Sequence, residues 1–189
     1  MYLTNGRTDG TSSIIVRNNA FDGLASKDAV TISGIDVISE GQFFGLYNNN
    51  LRIADQAVKD LNNNFMYIRG MNIGQPTDTA DVFIANNIFQ GDNWCYFVKC
   101  QTNFWFYSDY NVVYNFSKYK DASGTIIGTS HDKTTDPLFT DDDLHIGALS
   151  PAINSGAPSD LFPFMPGVDR SGVVRPQGVG YDIGADERE

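Results

Sequence analysis

The chain has 189 residues, 41% of them hydrophobic and 19% charged, with a formal charge of −10. That length and composition suit one folded domain with a sizeable core and exclude a disordered chain. The apolar runs are far too short to cross a bilayer as helices, and no basic stripe exists to displace counterions from a nucleic acid, which excludes a membrane span and a nucleic-acid partner.

The chain opens on Met1 to Arg7, which lacks the basic-then-apolar layout of a secretory leader. A phrase of the form apolar-x-Asn-Asn-x-apolar then recurs, clearest in Val16-Arg17-Asn18-Asn19-Ala20-Phe21 and Ile84-Ala85-Asn86-Asn87-Ile88-Phe89. Looser copies run from Ile32 to Val37, Leu46 to Leu51 and Ile68 to Ile73, and a degenerate one from Ser108 to Val113. Repetition of this kind predicts stacked units that bury their apolar faces against one another. The flanking segments Ser13 to Val16, Val30 to Ser33, Phe65 to Arg69 and Asp81 to Ala85 are rich in Val, Ile, Phe and Tyr and bounded by turn residues, so they read as short strands. Their spacing leaves no room for crossover helices. Asp55 to Leu61 is the one helix-like stretch.

Asparagine tolerates a left-handed backbone, which a sharp corner between strands requires. Corners stacked at strand spacing also let side-chain amides bond along the stack as a ladder. The Asn pairs therefore read as corner chemistry, with sugar or metal binding as the rival role. Cys95 and Cys100 read as buried thiols or as a local disulfide, and neither has the company of ligands that zinc needs. From Cys100 to Tyr119 the chain becomes strongly aromatic. Strand alternation turns half of such residues inward and leaves the others free to form a platform for sugar rings. Trp94, Trp105, Tyr107 and Tyr110 are the candidate substrate-binding residues.

After Thr129 the repetition stops. Residues 1–129 thus form the repeats and residues 130–189 an irregular C-terminal cap on the same domain, expected to cover the open end of the stack. This cap holds most of the acidity, with eleven acidic and four basic residues from Asp132 to Glu189.

Several segments resemble right-handed parallel β-helix proteins of the pectate-lyase-like superfamily. They are Ser108 to Asn115, Asp136-Pro137-Leu138-Phe139, Ser150 to Gly156, Asp169 to Pro176 and Tyr181 to Glu187, roughly the last 80 residues in span. The resemblance implies an all-β, right-handed parallel β-helix of about five or six coils with an irregular C-terminal cap. It further implies a bacterial protein at the cell surface or outside the cell, its leader absent from this chain, with a polysaccharide or other glycan as partner. Family members usually begin with a segment that caps the first coil. Here the repeats begin almost at once, so the chain looks like the C-terminal part of a longer β-helix, or one whose first coil is covered by a partner or a second copy.

Catalytic members of that superfamily act mostly on polysaccharides. The lyases among them need a base to take the proton α to a uronate carboxylate and a cation to neutralise that group. Arg17, Arg52 and Arg69 are the candidate catalytic residues, with Lys99 a further basic position, and solvated surface arginines are the rival reading. Hydrolases would use paired carboxylates, for which Asp78, Asp81, Asp92 and Asp109 are available. Asp141, Asp142 and Asp143 form an acidic run that reads as a solvated turn, with calcium as the cofactor it would take. His131 and His145 read as structural or surface residues. No nucleophile motif, phosphate loop or dinucleotide fingerprint is present. The favoured expectation is a glycan-binding or surface-presenting module without catalysis; the alternative is a polysaccharide lyase-like or hydrolase-like enzyme.

Overall fold

A computed structural model describes residues 2–5, 13–22, 33–39, 43–52, 64–69, 81–91, 96–100, 105–116, 118–122, 125–128 and 130–188. Among them lie β1 (Tyr2–Asn5), β2 (Ser13–Arg17), β3 (Ala20–Phe21), β4 (Ser33–Ser39), β5 (Phe43–Tyr47), β6 (Asn50–Arg52) and β7 (Asn64–Arg69). The series continues with β8 (Asp81–Ala85), β9 (Ile88–Gln90), β10 (Tyr96–Cys100), β11 (Trp105–Asp109), β12 (Val112–Tyr114), β13 (Lys118–Ala122) and β14 (Thr125–Gly128). The described residues hold strands and irregular chain and no helix. The predicted helical stretch Asp55 to Leu61 lies outside them.

Every third strand pairs. β1, β4, β7, β10 and β13 form one sheet, β2, β5, β8, β11 and β14 a second, and β3, β6, β9 and β12 a third. All of these pairings are parallel. The chain thus visits three sheets in turn and begins again, an arrangement compatible with a β-helix-like solenoid. One such circuit is called a rung below.

The Asn-Asn phrase sits where the second sheet turns into the third, and its two residues have different tasks. The first holds the corner: Asn18, Asn48 and Asn86 have φ of 56°, 52° and 57°, and Tyr110 takes the same place in the fourth rung at 58°. The second builds the ladder. Asn19 Nδ2 donates to Asn49 Oδ1, Asn49 to Asn87, Asn87 to Asn111 and Asn111 to Asp132, at 3.0 to 3.3 Å. Each acceptor oxygen also takes the main-chain N–H of the previous ladder residue.

Successive ladder residues are 30, 38, 24 and 21 positions apart. A rung is therefore longer than the spacing of all six phrase copies suggests. Of the looser copy at Ile32, the residues from Ser33 on belong to β4 in the first sheet, and of the copy at Ile68 only Ile68 and Arg69, at the end of β7, lie among the described residues.

Strand register explains the core. Val16, Leu46, Ile84 and Ser108 stand in one column, and Phe21, Leu51 and Phe89 in another, continued by Val113. Leu46, Leu51, Ile84 and Phe89 are fully buried, each worth roughly 1.5–3 kcal/mol of transfer free energy. Alternation turns Tyr47, Ala85, Ile88 and Val112 to the opposite faces. These are fully buried too, because the C-terminal segment lies over them. Ile146, Ala152 and Ile183 pack on Ile88 and Val112, while Ala157 and Met165 pack on Tyr47 and Ala85.

The C-terminal segment, expected to cover the end of the stack, makes its described contacts along the corners on the flank. Asp132 and Lys133 add a last ladder step and a parallel bridge to Val112. Ala157 then exchanges two hydrogen bonds with the Asn86 amide, at 2.7 and 2.9 Å. Asn48 donates to the Gly184 carbonyl, Asn50 to that of Leu144, and Asn18 to that of Val168. The approach is close enough that a Cβ on Gly156 would stand 2.8 Å from the Asp182 carbonyl oxygen. The apolar outer faces of the corners, Tyr47 and Ala85 on one side and Ile88 and Val112 on the other, give this course its packing surface.

Within the segment, Arg175 and Glu187 form a fully buried ion pair at 2.8 Å. The guanidinium also reaches the carbonyls of Asp182, Gly184 and Asp186, so one side chain gathers the last turn of the chain. Burial pushes the Asp182, Asp186 and Glu187 carboxyls up. Each therefore favours the folded state at low pH, and that share is lost as pH rises through its folded-state value.

Two substitutions test this framework. Asn87→Ala removes three donated and two accepted hydrogen bonds at a fully buried position, so urea unfolding should show a loss of about 3 kcal/mol or more. Glu187→Leu strands Arg175 and should lower stability by about 3–5 kcal/mol, while adding Arg175→Met should recover part of it; a double variant weaker than the single one would contradict the reading.

Candidate functional site

The fourth rung departs from the other three at its corner, and the chemistry gathers there. Tyr107 and Asp109 alternate with the fully buried Ser108 on β11, so both face out of the second sheet. Register places Tyr107 directly beside Phe83 of β8. Their rings stack at 5.4 Å and 10° between planes, and Phe162 meets Phe83 edge-on at 6.2 Å. On its other side Tyr107 pairs in register with Ile127 of β14, and the residue as a whole is 40% exposed.

Asp109 ends the strand and organises the corner that follows. Its Oδ1 accepts the main-chain N–H groups of Tyr110 and His131, at 3.0 and 2.8 Å. Its Oδ2 lies 2.8 Å from His131 Nδ1. The carboxylate can only accept, so Nδ1 carries the proton and Nε2 is the basic nitrogen. Ser130 Oγ is 3.2 Å from the same Nδ1. The imidazole then stacks on Tyr110, with centroids 4.2 Å apart and planes at 8°. The side chain of His131 is half-exposed and that of Asp109 largely buried.

Tyr107 and Tyr110, named from the sequence as substrate-binding, stand three residues apart on the fourth rung, Tyr107 against Phe83 and Tyr110 against His131. Trp105 opens β11 opposite Asp81 and Thr125, in the same strand as Tyr107. Trp94 lies outside the described residues, as do Cys95, Asp78 and Asp92; Cys100 closes β10. His131, read as a surface or structural residue, is half-exposed and lies against Asp109. A separation of 22 residues with no motif between them concealed the pair.

The candidate catalytic arginines are not brought together. Arg17 ends β2 in the second sheet, Arg52 ends β6 in the third and Arg69 ends β7 in the first. Arg17 donates to the Phe164 carbonyl. Arg52 grips Asp22 through two hydrogen bonds and reaches Asp142 at 3.1 Å, and the bond to Asp22 leads in raising its pKa.

The acidic run also separates. Asp141 accepts the His145 main-chain N–H at 3.0 Å and lies 2.8 Å from its Nδ1; the main-chain bond leads in holding its carboxyl below the usual range. Asp142 faces Arg52, and Asp143 offers its carbonyl to Arg170. Calcium takes six to eight oxygens, and among the described residues no three His, Cys, Asp or Glu side chains converge on a metal-sized site. These residues do not fit that cofactor. Among the described residues no helix is long and apolar enough to cross a membrane.

Comparison of the chain with family models, curated proteins and solved structures gives no match.

The Asp109 contact makes a direct prediction. Proton–nitrogen correlation spectra of the neutral His131 ring should show the proton on Nδ1, and Asp109→Ala should shift the population toward the Nε2–H tautomer. An Nε2–H ring in the unaltered protein would contradict the assignment.

Proposed function

We propose that the three sheets are the walls of a right-handed parallel β-helix of five coils, of the pectate-lyase-like kind, and that the chain binds glycans at the Tyr107–Tyr110–His131 corner without catalysing their cleavage. The handedness follows the rule for parallel strands joined by crossovers. The observation that carries the binding reading is the supported ring of Tyr107, stacked on Phe83 and 40% exposed. An aromatic face held rigid in this way loses little entropy when a sugar ring settles on it. Asp109, His131 and the Tyr110 hydroxyl supply acceptors and donors for the sugar hydroxyls. An extracellular or cell-surface setting follows from the family resemblance.

One observation favours the enzymatic alternative, and it is the Asp109–His131 pair rather than any arginine. A carboxylate that fixes the tautomer leaves Nε2 as a base able to take a proton from a sugar carbon or a water. Fold does not choose between the two readings, since function resides in the site.

Titration against a panel of neutral and uronate oligosaccharides tests the proposal. Binding should weaken at least about tenfold in Tyr107→Ala, the loss of one stacking face, while melting temperature stays near that of the unaltered protein. No binding to any member, or unaltered binding by Tyr107→Ala, would overturn it. Ultraviolet absorbance of unsaturated product, abolished by His131→Ala, would establish the lyase reading instead.

A further inference from the structure

The outward face of the second sheet is uneven beneath the C-terminal segment. Ile15, Gly45, Phe83 and Tyr107 stand in register along the stack, and two residues further on stand Arg17, Tyr47, Ala85 and Asp109. Gly45 and Ala85 are the small members of these columns, so the face is low between larger neighbours. Both are buried all the same. The loop from Ala157 to Met165 fills the depression. Its two end residues pack on Tyr47 and Ala85, with Ile15, Phe83, Tyr110 and Phe162 against them. Phe162 meets Phe83 edge-on at 6.2 Å.

One wall group does not suit this filling. Tyr47 is fully buried, and its hydroxyl has no hydrogen-bond partner. Burial pushes its pKa up, so the hydroxyl keeps its proton. Phenylalanine would occupy the same space without leaving a polar atom unpaired, and an unpaired buried group carries a desolvation cost. Phe162 has no polar atom to offer, and the Met165 thioether is a weak acceptor. The wall is otherwise apolar. A mostly hydrophobic lining with a single fixed polar group is the composition of a ligand pocket.

The loop that fills it is held under strain. Phe164 takes φ 65°, a region that is costly for a bulky side chain. Leu161 and Phe164 are 52% and 56% exposed, while Phe162 between them turns inward. The bond from Arg17 Nη1 to the Phe164 carbonyl lies at the surface. Lifting the loop therefore frees the backbone at Phe164 and breaks a bond that water can replace.

We propose that the depression over Gly45 and Ala85 is a binding site for an aromatic ring bearing one hydroxyl or carbonyl, and that Phe162 is a built-in plug which such a ring displaces. The ring takes the place of the Phe162 phenyl beside Tyr47, Phe83 and Tyr110, and its polar group bonds to the Tyr47 hydroxyl. Because the plug is part of the chain, the ligand competes with it and binds more weakly than the pocket alone would allow. The site does not depend on glycan binding at the fourth corner, with which it shares Tyr110.

Titrations with phenol and with toluene, followed by proton NMR, test the proposal. Phenol should bind the unaltered chain at roughly millimolar concentration and shift the signals of Phe162 and Met165. Tyr47→Phe should keep or raise the melting temperature. It should also lower the ratio of phenol affinity to toluene affinity by about fivefold or more, the loss of one hydrogen bond. Phe162→Ala should bind phenol at least about tenfold more tightly, because the plug is gone; should that variant not fold, Phe162→Leu, a smaller plug, should move in the same direction. No phenol binding by the unaltered chain would overturn the proposal. So would an unchanged affinity ratio in Tyr47→Phe, or a folded Phe162 variant that binds phenol no more tightly than the unaltered chain. A lower melting temperature in Tyr47→Phe would also count against it, since the hydroxyl would then have a partner.

Discussion

Everything in this protein depends on how the backbone turns from the second sheet to the third while its own buried amide and carbonyl groups stay paired. A parallel strand cannot reverse through a two-residue hairpin, so each rung must bend sharply inside the stack. The bend exposes amide and carbonyl groups that no sheet partner can reach. The asparagine pairs meet both needs. The first residue accepts the left-handed backbone at low cost, and the second supplies an amide whose donors and acceptor match those the bend leaves over. Because the acceptor of one ladder residue takes the donors of the residue before it, the corner also fixes register. A slip of one residue would break the ladder and turn the core outward.

A corner that is polar at its centre still has apolar shoulders. Tyr47 and Ala85 on one side, and Ile88 and Val112 on the other, face away from the interior column and would be wet without a second layer. The C-terminal segment is that layer. It binds the corners through the outward amides of Asn18, Asn48, Asn50 and Asn86, so the residues that make the turns also dock their cover. Its own shape rests on Arg175. A buried cation is an expensive way to hold a loop, but it offers several donors in a fixed fork, and a segment without regular structure has many carbonyls to satisfy.

The strands, the parallel stacking and the two tasks of the Asn pair were legible in the sequence, because each rests on short-range chemistry. Val16 to Phe21 and Ile84 to Phe89 state both the corner and the adjoining apolar columns within six residues. The length of a rung was less legible. Ile32 to Val37 imitates the phrase through strand alternation alone, and only pairing shows that β4 belongs to another sheet. The course of the C-terminal segment was hidden for a similar reason. Its contacts reach across as many as 150 positions, as from Asn18 to Val168, and no local pattern encodes such a distance. The alternation of Tyr47 and Ile88 on outward positions was the available signal that something must cover them. The candidate site was half legible. The aromatic run marked Tyr107 and Tyr110, but the partner of Asp109 lies beyond β14, in a segment whose role had been read as closure alone.

The site arises where the repeat is altered. In three rungs the left-handed corner position is asparagine; in the fourth it is Tyr110, at φ 58°. A bulky residue there costs on the order of 1–3 kcal/mol. Asparagine would be the cheaper choice if the corner were only a corner. The tyrosine has an aromatic partner in His131, itself held by an aspartate at the position that Arg17, Tyr47 and Ala85 occupy in the earlier rungs. Asp132 likewise replaces asparagine as the last ladder member, accepting without having an amide to donate. Three departures from the repeat, Asp109, Tyr110 and Asp132, therefore fall at one corner, which also carries the stacked rings of Tyr110 and His131. A solenoid can change one rung while its neighbours keep the architecture intact. Strain at that rung is held by the ladder beneath it and the aspartate beside it, which is why the proposed binding surface is placed at the fourth corner.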